Sequence, residues 1–409
     1  MTCCIVCTFA QEFKASAEQG DAAAQTKMGD YHFERKEYTQ ALQWYEKAAQ
    51  QDNVDAILQL IEIYENGYGV TKDEKKGVMY EKKAAGLGSA KAQYYLGGTY
   101  YNGYGGEAKN LSKAVEWYRK AAEQGYANAQ DMLGDCYYNG NGVTKDYAMA
   151  VEWYRKAAEQ GYANVQDMLG DCYYDGDGVT KDYAKAVEWY RKAAEQGYKY
   201  AQKSLGRCYY YGNGVTEDSN KALEWFNKAQ KNGENCCFWI GKCYQQLKNY
   251  TKAMEYFRKG EAEDKYCSLA LGWMYYEGEG VQKNLTKAKE YAQKAGDAGQ
   301  NLLEEIENEN NKKAKYNEMV RKWGKASVDA WLQSKVCVGM SVKFLAEMND
   351  VEIYKLRVYN GGSDGEFKVE IACMNSNGIW KNKYRIWVSN YKITRFKDWS
   401  REDDREFGL

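Results

Sequence analysis

Two adjoining stretches decide how this chain folds: Tyr126–Gly161, YANAQDMLGDCYYNGNGVTKDYAMAVEWYRKAAEQG, and Tyr162–Gly197, YANVQDMLGDCYYDGDGVTKDYAKAVEWYRKAAEQG. They are the same 36 residues copied almost without change. Tyr198–Gly233 follows at the same period, and Ser89–Gly125 precedes with one extra loop residue. Weaker copies begin at Ala22, Asn53, Glu234 and Glu261, making about eight; those at Ala22 and Glu234 lack the GxGV loop. A period of this size marks a stacked array, because one unit is too small to bury its own apolar stripe.

Each unit reads as two helices. Ala129, Met132, Leu133, Cys136 and Tyr137 recur at helical spacing, and Gly140 and Gly142 then stop the first helix. Asp146 is a natural N-cap, after which Ala150, Val151, Trp153, Tyr154 and Ala157 restart the period until Gly161. Gly134 lies inside the first helix, where glycine costs roughly 1 kcal/mol against alanine. It recurs as Gly29, Gly97, Gly170, Gly206, Gly241 and Gly272. A helix breaker kept at one face position implies close approach by the second helix, expected at the small Ala150 and its equivalents.

The shared pattern, AxAQxxLGxxYxxGxGVxKDxxKAxxWYxKAAxxG, resembles the Sel1-like repeat family, relatives of the tetratricopeptide repeat. The copies at Ala127 and Ala163 carry it with one exception each, Met149 and Val165. The resemblance runs from about Ser16 to Gly299. It implies a right-handed α-solenoid with a concave groove, and a scaffold or adaptor for protein binding. Cysteine-rich secreted members bridge the two helices of a repeat, but their positions fall here on Ala122, Ala158 and Ala194 and on Gln130 and Gln166. The chain's own Cys136, Cys172, Cys208 and Cys243 share one position on successive first helices. Neighbouring helices lie about 8–10 Å apart, too far for easy bridging, so these read as small buried apolar residues.

Composition narrows the chemistry. The 409 residues are 44% hydrophobic and 28% charged with net charge −1, a foldable balance with no global pull toward nucleic acid or anionic lipid. Proline is absent, tyrosine reaches 39, and the single histidine is His32. One histidine removes most His-based catalysis and metal binding. No phosphate loop, HExxH or GxSxG is present, so no enzyme, cofactor or metal site is expected. The paired spacing of Cys4 and Cys7 has no second pair to complete a zinc site.

In related repeats, outward positions of the first helix line the groove. Matched residue by residue, these are Asn128, Asp131, Asp135 and Tyr138, then Asn164, Asp167, Asp171 and Tyr174, then Lys203, Arg207 and Tyr210. Tyr200 falls on the same outward set, and Tyr101 and Tyr276 extend the tyrosine row. The groove is therefore acidic over two repeats and basic afterwards. It is expected to take a protein or peptide with a basic portion over the aspartates. The competing reading is a solvated face whose tyrosines close the contacts between repeats.

After Gly299 the pattern changes. Asn301 to Lys315 reads as a charged capping helix, and Ser327 to Gln333 as a short helix. From Val336 the period becomes two, at Val342/Phe344, Leu356/Val358, Phe367/Val369/Ile371, Tyr384/Ile386/Val388 and Tyr391/Ile393. Trp380–Lys397 interleaves aromatics with Lys381, Lys383, Arg385, Lys392, Arg395 and Lys397, a second candidate surface for nucleic acid or an acidic ligand.

The expected fold class is mainly α: an α-α superhelical solenoid of about eight repeats, followed by a small antiparallel β-barrel-like module, SH3-like or Tudor-like. The expected organisation is an N-terminal segment 1–15, the solenoid 16–299, a capping and linker helix region 300–334, the β-rich domain 335–399 and a charged tail 400–409. Cys3–Ala10 reads either as a signal remnant or as a frayed end, so a cytoplasmic location is favoured and a secreted or periplasmic one stays open. The chain is expected to act as a monomeric protein-binding scaffold without a membrane span, with nucleic acid the less favoured partner.

Overall fold

The computed structural model describes residues 13–323 and 325, together with the backbone of 352–360, 367–374, 380–389 and 392–398. The Cys3–Ala10 segment, the helix expected at 327–333 and the strand expected at Val342/Phe344 lie outside the described residues. The chain divides into two compact units, residues 1–271 and 272–409.

Helices come in pairs, each pair matching one repeat. The first four are α1 Ala22–Glu34 with α2 Tyr38–Gln50, α3 Val54–Asn66 with α4 Glu74–Gly86, α5 Ala90–Asn102 with α6 Leu111–Glu123, and α7 Ala127–Asn139 with α8 Tyr147–Glu159. They continue as α9 Ala163–Asp175 with α10 Tyr183–Glu195, α11 Lys199–Tyr211 with α12 Ser219–Lys231, α13 Cys237–Gln246 with α14 Tyr250–Gly260, and α15 Lys265–Glu277 with α16 Leu285–Lys294. A 3₁₀ turn and the long α17, Gln300–Trp323, follow.

The boundaries have local causes. Gly140 ends α7 at φ 75°, a left-handed conformation that satisfies a helix-end carbonyl through its own N–H, bonded to Cys136 O. Asp146 then caps α8 by accepting from the Met149 N–H at 3.0 Å, and Asp182 does the same for α10 through Lys185.

Within a pair, the helix-interior glycine is a seat for an aromatic ring. A Cβ placed on Gly134 would lie 2.5 Å from Tyr154 Cε1, inside any real contact distance. The same holds for Gly29 under Tyr45, Gly97 under Tyr118, Gly170 under Tyr190, Gly206 under Phe226 and Gly241 under Phe257. The expected close contact at Ala150 is therefore corrected: the glycine accommodates the large side chain four residues further on, and Ala150 is simply buried. Gly272 is a variant, with Leu302 of α17 over it. One pair departs altogether. Sequence alignment of the repeats puts Ile61 in the glycine position of α3 and Glu81 in the aromatic position of α4.

Between pairs, a ladder of buried glutamines joins the stack. Gln130 Nε2 donates to Ala122 O at 3.1 Å, while Gln130 Oε1 accepts from Gln160 Nε2 at 2.9 Å. Gln93, Gln166 and Gln202 repeat both bonds, with Asn232 replacing the last donor. Each buried amide is thus tied to the preceding second helix and to its own repeat's second helix, which a solvated side chain could not do. Cys136, Cys172, Cys208 and Cys243 are free and buried, and burial pushes the Cys136 thiol up to about 11. They act as small apolar residues.

In the C-terminal unit, β1 Glu352–Asn360, β2 Phe367–Met374, β3 Trp380–Ser389 and β4 Lys392–Asp398 form one antiparallel sheet in sequence order. The expected barrel is corrected. Closure requires the last strand to pair with the first, whereas β1 pairs only β2 and β4 only β3 among the described residues. Among the described residues the fold is the α-α repeat solenoid, and no closed barrel is present.

The ring-on-glycine seat predicts an inversion of helix propensity. Gly134→Ala should lower the thermal midpoint despite alanine's better propensity, because the Tyr154 ring must move, at a cost of about 1–3 kcal/mol. Gly98→Ala, whose added Cβ would meet nothing nearer than the Tyr118 hydroxyl at 3.8 Å, should leave or raise it. Equal shifts for both would contradict the seat.

Candidate partner groove

The outward positions of the first helices are partly sunk between neighbouring helices, and three cavities fall along them. One of about 430 Å³ is lined by Thr26, Asp30, Asn53 and Asp55 among others, and one of about 660 Å³ by Glu65, Glu81 and a group of tyrosines. A third, about 260 Å³, is lined by Asp135, Tyr138, Tyr154, Met168 and Asp171. Asp135 of α7 and Asp171 of α9 thus share one surface depression, which Asp131 and Asp167 do not line.

Their partners are specific. Asp135 accepts from the Tyr154 hydroxyl at 2.7 Å and Asp171 from Tyr190 at 2.6 Å, so the ring seated on each glycine also holds a groove carboxylate. Asp131 accepts from Asn164 Nδ2 at 3.2 Å, linking two of the predicted positions across successive repeats. Asp131 Oδ1 and Asp167 Oδ1 are buried without a hydrogen-bond partner. Burial, with the charge of Asp135 second, lifts Asp131 to about 6. Burial, with Asp171 second, lifts Asp167 to about 7. None of the four carboxylates is in an ion pair among the described residues.

The basic stretch is different. Lys203 pairs with Glu234 at 2.8 Å, and Arg207 lies over the Trp239 ring at 5.4 Å. Its charge is already engaged within the fold. Tyr210 packs edge-on to Trp239.

The tyrosine row joins repeats. Tyr138 donates to Asp177 at 2.7 Å, and Tyr174 and Tyr101 accept from Asn213 and Asn141 in the loop one repeat further on. These tyrosines therefore brace the array and also border the groove. Asn128 and Asn164 are half-buried, and Tyr200 is exposed. Sequence reasoning missed the glutamine ladder, although the glutamine recurring at Gln93, Gln130, Gln166 and Gln202 carries it, and missed Glu81, which sits in the most divergent complete repeat.

For the C-terminal candidates, the backbone register pairs Arg385 with Lys397, Trp387 with Arg395, Ser389 with Lys392 and Lys383 with Ala372. Lys381 falls at the register irregularity between β2 and β3.

The Sel1 repeat pattern matches residues 22–53, 56–89, 90–126, 127–162, 163–198, 199–234 and 266–300. The chain belongs to the Sel1 repeat family. The tetratricopeptide repeat pattern fills the remaining interval, 234–264, where the GxGV loop is missing. Among solved structures, a protective antigen present in uropathogenic Escherichia coli strains and displaying an SLR fold is 35% identical, with TM-score 0.64 over 78% of this chain and 69% of that one. A Sel1 repeat protein from Oxalobacter formigenes is 29% identical, with TM-score 0.53 over 73% of this chain and 90% of that one. Sel1 and tetratricopeptide-like solenoids mediate protein–protein interaction and are generally non-enzymatic. No described helix is long and apolar enough to cross a membrane. Nothing in these likenesses supports the second expectation, nucleic-acid or acidic-ligand binding through the C-terminal sheet.

The raised carboxyls set a pH dependence. Asp131, Asp167 and Glu81 (itself pushed up to about 7, burial first) hold their protons more tightly folded than unfolded. Their protonated forms favour folding at low pH, and that contribution is lost as pH rises through 6 to 7. The exposed capping aspartates, held below the usual carboxylate range by backbone N–H groups, act only below about pH 4. The melting temperature should therefore fall from pH 5 to pH 8, with Asp167→Asn flattening the curve. A rise over that window would contradict the burial of these carboxyls.

Proposed function

We propose that this Sel1 repeat protein is a non-enzymatic adaptor whose groove takes a polypeptide segment with basic residues lying across α7 and α9. The supporting observation is the asymmetry of charge compensation. Asp131, Asp135, Asp167 and Asp171 form no ion pair among the described residues and only Asp171 feels a cation, the more distant Arg207, whereas Lys203 is paired with Glu234 and Arg207 lies over the Trp239 ring. Partly desolvated carboxylates without counter-charge are costly, and a partner's lysine or arginine relieves that cost. The flanking Tyr138 and Tyr174, already fixed by their loop hydrogen bonds, add contact area at low entropy cost.

Geometry also constrains the ligand. Successive first helices lie about 8–10 Å apart, and an extended chain advances about 3.3 Å per residue. Side chains three apart fall on opposite faces of a β-strand but on one face of a polyproline-II segment, which advances about 9 Å over three residues, so basic residues at every third position of such a segment meet successive repeats.

The test is fluorescence anisotropy of the full chain with a labelled nonapeptide bearing lysine at every third position. The expected result is binding that weakens with salt, strengthens from pH 5.5 to 7.5 as Asp131 and Asp167 ionise, and drops about ten-fold or more when all four aspartates become asparagine. Asparagine keeps an acceptor for the Tyr154 and Tyr190 hydroxyls, so the stack survives. Unchanged affinity in that variant would remove the proposal.

A further inference from the structure

The second helix pair breaks the rule that the first pair and the third to seventh obey. Where they seat an aromatic ring on glycine, it has Ile61 and Glu81. Ile61 is buried, and a carboxylate takes the place of an aromatic ring. Glu81 is 3% exposed and accepts a hydrogen bond from Thr99 Oγ1 at 2.6 Å. Thr99 in turn occupies the position where later repeats carry the buried cysteine. Two departures thus place a polar pair at positions where later repeats have an aromatic ring and a cysteine.

The space in front of this pair is the largest of the three groove cavities, about 660 Å³. Glu81 and Glu65 line it together with Tyr94, Tyr95, Tyr101 and Tyr118. The rings form a cluster, with Tyr94 5.7 Å from Tyr95 and 5.9 Å from Tyr118 between centroids. Gly98 stands where later repeats have the aspartate that binds the seated tyrosine, and this opens the wall beside the Tyr118 hydroxyl. Two lysines neighbour these carboxylates and each is paired elsewhere, Lys82 near Glu81 with Glu107 and Lys72 near Glu65 with Glu74. Lys91 and Lys109 approach the Tyr95 and Tyr101 rings only at 5.8 and 5.7 Å, at the weak limit of a cation–π contact.

We propose that this cavity binds an alkylated ammonium group, with Glu81 and Glu65 supplying charge and the tyrosine faces surrounding the methyl groups. Tyrosine faces attract cations most when the cation is weakly hydrated, which favours a quaternary ammonium over a primary one. The group is either free or carried on a methylated lysine side chain. This site lies over the second to fourth repeats and does not depend on the aspartates of α7 and α9.

The test is calorimetric titration of the full chain with three probes: choline, a nonapeptide containing trimethyl-lysine, and the same peptide with unmodified lysine. The expected result is binding of choline or the trimethylated peptide, and which of the two binds tells free ligand from modified chain. Glu81→Gln and the exposed-ring variant Tyr95→Ala should each weaken that binding about ten-fold or more, with unchanged circular dichroism. The Asp131→Asn/Asp167→Asn variant should bind choline or the trimethylated peptide as wild type does, so the two proposals fail separately. No binding of either alkylated probe, equal binding of the unmodified lysine peptide, or full binding by Glu81→Gln would each overturn it.

Discussion

In six of the eight helix pairs the packing rests on one contact, an aromatic ring of the second helix lying on a bare glycine of the first. The ring fixes how closely the two helices of a repeat approach, because any Cβ at that glycine would overlap it by an ångström or so. It also fixes chemistry. A tyrosine seated there projects its hydroxyl through to the groove, where Tyr45, Tyr154 and Tyr190 hold Asp30, Asp135 and Asp171. Phenylalanine at Phe226 and Phe257 keeps the packing and abandons the hydrogen bond, and there the facing residue is Arg207 or Lys242 instead of aspartate. Core and groove therefore change together along the array.

The second constraint joins repeats to one another. A repeat protein is stable only through nearest-neighbour interfaces, and buried amides make poor interface residues unless every donor and acceptor is met. The Gln130-type side chain meets that demand by bonding the preceding helix and its own repeat's second helix. Tyr101, Tyr138 and Tyr174 add a link on the groove side through the next loop. The same tyrosines that border the groove are thereby immobilised, which lowers the entropy lost when a partner binds.

Much of this was legible in the sequence, and the exceptions have physical causes. The repeat period, the glycine stops and the aspartate caps follow from local rules, so helix positions could be read directly. The partner of Gly134 could not be, because Ala150 and Tyr154 occupy the same helix face and spacing alone does not say which touches. The charge pattern of the groove was visible, but its meaning was not: only the fold shows Lys203 neutralised by Glu234 while the aspartates stay unpaired. Glu81 was hidden because its repeat is the most divergent one with a complete loop, where a pattern reader sees noise in place of a polar pair with Thr99. Strand alternation near the C-terminus likewise says where strands run, while barrel closure depends on long-range pairing that periodicity does not encode.

The central functional claim is that the acidic first-helix face of α7 and α9 receives the partner's basic residues. Hydrogen–deuterium exchange of the full chain with and without the lysine-bearing nonapeptide tests it most directly. The account predicts added protection concentrated in residues 127–139 and 163–175, with the second helices 147–159 and 183–195 unchanged. Protection confined to the second helices, or to residues 352–398, would contradict it.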